Sequence, residues 1–199
     1  MPIEEALRRR LIRAAADSII AHAAELTALD QAIGDGDHGL NMARGCTAVL
    51  DDLDRIAALP LPGALHAIGM TLVMKVGGAS GPLFGTLFMQ LGRSLPETPD
   101  RAAAAAALAE AIAAVKARGR SDVGSKTMLD ALVPVQEALG DPGPDWRTRL
   151  PTVADAAAAA TAPMPARRGR AAYLGARSIG HVDPGARTVA LIVRALCEA

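Results

Sequence analysis

The chain has 199 residues; apolar residues make up 51% of it and aromatics only 2%. That is the size of one domain, 1–199, with a core of Ala, Leu, Val and Ile, a composition that suits closely packed helices better than a β-sandwich. Lys+Arg and Asp+Glu are both 21, which argues against the basic excess of a general nucleic-acid binder, and no apolar run approaches the roughly 20 residues that span a bilayer.

In chain order, Ile3, Leu7, Leu11, Ala15, Ile19, Ala23 and Leu26 recur at helical spacing and predict a helix to about Leu29. It stops at a Gly-Asp cluster over 34–39. A second helix carries Val49, Leu50, Leu53 and Ile56 on one face and ends before Pro60 and Pro62. Gly63 to Lys75 is a third, broken by Gly77-Gly78, and another starts near Ser80. Residues 100–117 form an Ala-rich helix with Asp100 as its N-cap. Further helices are predicted over 127–139 and 147–162, separated by a turn from Gly140 to Pro144. The last begins at Asp183-Pro184, since proline suits the first helical position. No strand run or domain-size linker is present, so the expectation is about eight helices in one all-α domain. Cys46 and Cys197 lie far apart without a CxxC partner, and no early segment has the build of a secretory leader, so a reduced, cytoplasmic setting is expected.

The stretch from Asp30 to Asn41 carries the most chemistry. Asp30, Asp35 and Asp37 fall within eight positions, with glycines 34, 36 and 39 turning the chain between them. Three carboxylates in one loop repel unless solvent or a cation separates them, and a hard divalent cation resolves the conflict. An EF-hand is excluded: counted from Asp35, positions 5 and 12 are Gly39 and Cys46, which supply no side-chain oxygen. Magnesium shared with phosphates fits better.

Three other loops are notable. Val76-Gly-Gly-Ala-Ser-Gly81 feeds a helix and offers free backbone N–H groups to an anion. Gly119 to Thr127 nearly matches a P-loop, but Ser125 intrudes before Lys126 and a helix rather than a strand precedes it, so the P-loop is rejected. Arg167 to Gly185 combines positive charge, glycines and a helix start, and Arg177 has the planar fork that pairs with phosphate. Asp183 also reads simply as an N-cap, and His181 as a structural histidine.

Taken together, Ile33-Gly-Asp-Gly-Asp-His-Gly-Leu-Asn41, Gly78-Ala-Ser-Gly81, Gly124-Ser-Lys-Thr-Met-Leu-Asp-Ala-Leu132, Gly169-Arg-Ala and Ser178-Ile-Gly-His-Val-Asp-Pro-Gly185 resemble the L subunits of dihydroxyacetone kinases. The resemblance runs from about Asp30 to the last helix. It implies a barrel of eight antiparallel amphipathic helices with a nucleotide at one end. It also implies that Asp30, Asp35 and Asp37 hold two magnesium ions bridging the phosphates of ADP or ATP. By the same resemblance His38, Gly39, Leu40 and Asn41 line the site, Ala79 and Ser80 meet phosphates or ribose, Gly119 and Met128 border adenine, and Arg177 with Asp183, Pro184 and Gly185 closes the pocket. Ala79 stands where the family often has Thr, which removes a hydroxyl but keeps the backbone.

The resemblance further implies partners. A K subunit holds dihydroxyacetone and carries the substrate-binding histidine, so no catalytic residue is assigned to this chain. A phosphocarrier M subunit rephosphorylates the bound ADP in place. An ATP-exchanging kinase for a related ketose or polyol, and a regulatory binding module without catalysis, stand as alternatives; homodimer formation is open.

Overall fold

The computed structural model describes residues 4–199; Ile3, the first residue of the predicted apolar stripe, lies outside them. All regular structure among the described residues is helical. The helices are α1 (Glu5–Ala21), α2 (Ala23–Ile33), α3 (His38–Asp51), α4 (Leu53–Ala58), α5 (Leu61–Lys75), α6 (Ser80–Ser94), α7 (Arg101–Gly119), α8 (Leu129–Gly140), α9 (Trp146–Ala160) and α10 (Pro184–Glu198). A stretch of 3-10 turns spans Arg170–Ser178 and is broken at Gly175, whose φ is 54°.

Ten α-helices and an expected eight agree once two interruptions are counted. The predicted first helix pauses at His22, whose N–H and ring Nδ1 both turn to the Ser18 carbonyl. The second predicted helix pauses at Asp52 between α3 and α4. Each break is one residue long, so α1–α2 and α3–α4 occupy two columns. The packing order is then a closed ring: α1 against α3, α3 against α5, α5 through α10 each against the next, and α10 back against α1.

Small residues let the ring close tightly. A Cβ built on Gly69 would lie 2.8 Å from the Gly85 carbonyl, and one on Gly85 would lie 2.9 Å from the Gly69 carbonyl, so α5 and α6 touch backbone to backbone. Ala154 and Ala158 of α9 and Ala186 and Ala190 of α10 are likewise sealed in. The centre is filled by Leu26, Ile56, Leu129 and Phe84, the last being the largest side chain fully enclosed. Burial of such side chains contributes roughly 1.5–3 kcal/mol each.

Arginines bind the ring from outside. Arg8 donates to the Ala57 carbonyl at 3.0 Å and Arg9 pairs with Asp54, joining α1 to α4. Arg187 bridges Glu25 at 2.6 Å and Asp155 at 3.0 Å, tying α10 to α2 and α9. Two predicted caps form as expected. Asp100 accepts from the Ala103 amide, and Asp183 accepts from the Ala186 amide with Pro184 beside it, each at 2.7 Å. Alternation up and down the ring brings the ends of α2, α5, α7 and α9 and the starts of α3, α6, α8 and α10 to one end of the barrel.

Candidate functional site

That end holds a cleft of about 420 Å³, lined by residues from those helix ends except the termini of α5 and α9, whose following loops reach it instead. Four helix N-termini open into it, at His38, Ser80, Leu129 and Pro184. Each carries about half a positive charge from its aligned backbone dipoles, although Asp30 and Asp183 already take amides at the starts of α3 and α10. The cleft therefore favours anions on that side.

The wall at the α2–α3 turn is acidic. Asp30 sits in the last turn of α2, while Asp35 and Asp37 lie in the loop before α3. One carboxylate oxygen from each falls within 4.8 Å of the others, a spacing fit for a shared divalent ion. Asp30 has a second task. Its Oδ2 accepts from the amides of Asp37 at 2.9 Å and His38 at 3.1 Å, so it caps α3 from the preceding helix. Gly34 allows this close return, because a Cβ there would lie 2.2 Å from Asp30 Oδ1. Gly36 turns the loop with φ 73°. Arg170 reaches across and pairs with Asp35 at 2.9 Å, placing a cation against the cluster. The donor set fits magnesium: hard oxygens, clustered charge and room toward the cleft.

His38 stands between the two walls. Its Nε2 lies 2.8 Å from Thr188 Oγ1 and its Nδ1 2.9 Å from Ser80 Oγ. The Thr188 hydroxyl donates to the Pro184 carbonyl at 2.9 Å, so its oxygen accepts from Nε2–H. Nδ1 then accepts from the Ser80 hydroxyl. Burial lowers the His38 pKa, against the pull of Asp30 and Asp37, which keeps the ring neutral and the tautomer fixed. The Ser–His pair has no carboxylate behind it; the third member is a threonine. A hydrolase triad is not formed.

The fourth loop runs from Thr161 to Asp183. Arg168, Gly169, Arg170 and Ala171 face the cleft, as do Asp183, Pro184 and Gly185. Burial pushes the Asp183 carboxyl up to about 7, nearby Asp130 adds to the rise, and the Ala186 amide opposes it. Beneath the loop, Lys126 is only 1% exposed and its Nζ donates to backbone carbonyls rather than to a ligand. Asp130, 4% exposed, takes the amides of Gly124 at 2.5 Å and Thr127 at 2.8 Å. The near-P-loop is thus an internal fastening. Leu83, Phe84, Val115 and Met128 supply an apolar wall.

Most of the residues singled out in the sequence converge here. Asp30, Asp35, Asp37, His38, Ala79, Ser80, Gly119, Met128, Asp183, Pro184 and Gly185 all line the cleft. Four of the expected residues do not line it. Gly39 presses its backbone against α2, Asn41 is buried and accepts from Arg44, and Leu40 is 61% exposed. Arg177 is exposed, while Arg168 and Arg170 of the same loop line the cleft. The signal was present in Arg167-Arg-Gly-Arg170, but only the loop path tells which arginine turns inward. Thr188 carried no sequence signal at all, because its role runs through His38.

Comparison with known proteins bears on this cleft. The DAK2 domain model matches residues 32–198. The ADP-binding subunit DhaL of a phosphoenolpyruvate-dependent dihydroxyacetone kinase from Listeria innocua is 41% identical over 87% of this chain and 85% of its own length. The corresponding Escherichia coli subunit is 42% identical over 87% of both chains. The dihydroxyacetone kinase of C. freundii, solved in complex with AMP-PNP and Mg2+, superposes with a TM-score of 0.79 and 28% identity. That match covers 100% of this chain and 34% of the longer one. A helical ring sealed by small residues, with its chemistry gathered at one end, thus has relatives along nearly its whole length, and the chain belongs to the DAK2 domain family.

Proposed function

We propose that the chain is the ADP-binding subunit of a phosphoenolpyruvate-dependent dihydroxyacetone kinase. The observation that carries this reading is the cleft itself: the Asp30, Asp35 and Asp37 cluster, four helix N-termini and the arginines Arg118, Arg168 and Arg170 line it together, beside an apolar wall. A nucleoside diphosphate with magnesium has the matching parts. The relatives named as ADP-binding subunits support it, since their similarity extends over most of both chains.

Asp30, Asp35 and Asp37 would hold magnesium, two ions in our reading, which neutralises phosphate charge during phosphoryl transfer. The chain's own groups do the rest. The helix N-terminus at Ser80 orients the phosphates, Arg168 and Arg170 offset their charge, and Leu83, Phe84 and Met128 exclude water from the base. Neutral His38 fixes the Ser80 hydroxyl. The ketose acceptor comes on a second protein in this reading, a K subunit carrying dihydroxyacetone. A phosphocarrier subunit renews the terminal phosphate, and the assembly works in the cytoplasm. No described helix is long and apolar enough to cross a membrane.

A second reading has one observation in its favour. The L-erythrulose 1-kinase of Mycolicibacterium smegmatis is 38% identical over 88% of this chain, which covers 32% of that protein. A four-carbon ketose is therefore the rival substrate. Protein purified without added nucleotide, quenched in acid and analysed by chromatography, tests the main reading. Near-stoichiometric ADP is expected; an empty protein that fails to bind Mg-ADP overturns it. Assays with dihydroxyacetone and erythrulose on the partner subunit then separate the two ketoses.

A further inference from the structure

Lys126 has no part in the chemistry above, yet a single atom of its side chain lies within hydrogen-bonding distance of five acceptors. Its Nζ lies 2.9 Å from the carbonyl of Thr161, 3.3 Å from Ala162, 3.1 Å from Met164, 2.8 Å from Ser178 and 2.5 Å from His181. An ammonium has three N–H groups, so five acceptors form a coordination shell shared among them. Among the described residues no carboxylate lies at ion-pair distance from it. The backbone of Lys126 takes a left-handed φ of 60°, rare for a lysine, to aim the side chain inward.

The five carbonyls come from two places. Thr161, Ala162 and Met164 lie where the chain leaves α9; Ser178 and His181 lie where it returns toward α10. The intervening segment carries Arg168 and Arg170 to the cleft. Further bonds close the same neck: the Ala166 amide donates to Ser178 Oγ at 2.9 Å, the Gly180 amide to the Ala162 carbonyl at 2.8 Å, and the Asp183 amide to Thr161 Oγ1 at 2.9 Å. The acidic loop across the cleft makes no bond to Lys126.

We propose that Lys126 is a positioning residue, the resident cation of a five-carbonyl cage, which holds the 165–181 segment against the cleft and thereby sets how long a nucleoside diphosphate is retained. This rests on the nucleotide reading above. Carbonyl oxygens at this spacing turn their negative ends toward one point, and removing the cation leaves them repelling one another. The neck then opens, and the arginines lose their register with the phosphates. Asp35 then loses its Arg170 partner, while Asp30, Asp35 and Asp37 keep their places through α2, α3 and the loop between them.

The test compares wild type with Lys126→Ala and Lys126→Arg. Helical content is read by circular dichroism, Mn2+ binding without nucleotide by electron paramagnetic resonance, and ADP release in Mg2+ by stopped flow. Lys126→Ala is expected to stay helical, to bind Mn2+ as wild type does, and to release ADP about tenfold faster or more, a change of about 1.4 kcal/mol. Propylammonium, which refills the cage with a cation, is expected to slow release again; propanol, of the same size but neutral, is not. Unchanged ADP release overturns the proposal. So does loss of Mn2+ and ADP binding together, which marks a general scaffold role, or equal rescue by propanol, which marks mere filling. If the alanine variant does not fold, Lys126→Arg decides: its charge survives but its planar fork does not fit the cage, so several-fold faster ADP release with unchanged Mn2+ binding is expected, and wild-type release overturns the proposal. Wild-type protein that does not bind Mg-ADP at all refutes the nucleotide reading and this proposal with it, a failure distinguishable from the others because no variant is needed to see it.

Discussion

The two loops that face each other across the cleft are held by opposite charges. The 34–37 loop is fastened by an anion: Asp30 collects the amides of Asp37 and His38. The 161–183 loop is fastened by a cation: Lys126 collects five carbonyls. The first fastening is partly exposed and shares its carboxylate with a metal cluster, while the second is sealed from solvent. The contrast teaches that a loop meant to exchange a ligand can share its anchor with that ligand. A loop meant to stay put has an anchor of its own.

Breaking the anionic side has the largest expected effect. Asp30→Ala removes a metal ligand and a helix cap together. Mn2+ affinity should fall by about 100-fold, the scale reached even by outer partners of metal sites, and stability by about 1 kcal/mol. Asp30→Asn keeps an acceptor for the amides, so calorimetry should show the stability return while the metal affinity does not. Breaking the cationic side reverses the pattern. Lys126→Met leaves buried carbonyls without a donor and should cost about 3 kcal/mol, lowering the melting temperature by roughly 6–12 °C, with Mn2+ titration unchanged.

Finer substitutions sharpen the difference. Arg170→Ala should weaken Mg-ADP binding about tenfold by isothermal titration, the worth of one charge-assisted hydrogen bond. Arg177→Ala, on the exposed side of the same loop, should leave it unchanged. Asp183 lies at the fixed loop's end with its carboxyl raised from 3.8 to about 7 by burial. Its neutral form is the one the fold prefers. Its contribution to stability is therefore fully present below about pH 4 and lost as pH rises through about 7. Urea unfolding of wild type should show this loss, and Asp183→Asn should remove at least about 1 kcal/mol of the slope. Smallest is Thr188→Val, which strips the Nε2 acceptor from His38 and should weaken ADP binding only several-fold, about 1 kcal/mol.

The anionic loop was legible in the sequence and the cationic one was not. Three aspartates separated by glycines announce both a turn and a charge conflict. Helix starts at Asp100 and Asp183 were equally plain, because capping is written in side chains. The breaks at His22 and Asp52 were hidden, since neither residue is a glycine or proline and the apolar stripe runs on past both. Lys126 was hidden for a deeper reason. Its cage is built from backbone carbonyls, which every residue has, so no side-chain pattern marks them. Its sequence neighbourhood, Gly124-Ser-Lys-Thr127, comes near a phosphate loop, and rejecting that loop leaves the lysine without a reading from sequence. Arg170 and Arg177 differ only in which way a 3-10 turn faces, and the kink at Gly175 that parts them follows from φ rather than composition.

The buried ammonium also has a use at the bench. The chain contains only three lysines, Lys75, Lys116 and Lys126. The first is exposed and the second partly so, held in a pair with Asp122 at 2.6 Å. An amine-reactive reagent will therefore modify those two early and Lys126 only when the neck of the loop opens. The slow acylation of Lys126 itself, followed by peptide mass spectrometry, is a clock for that opening, readable in the unmodified sequence and without a dye, and its rate with ADP present against ADP absent measures how far the ligand keeps the loop shut.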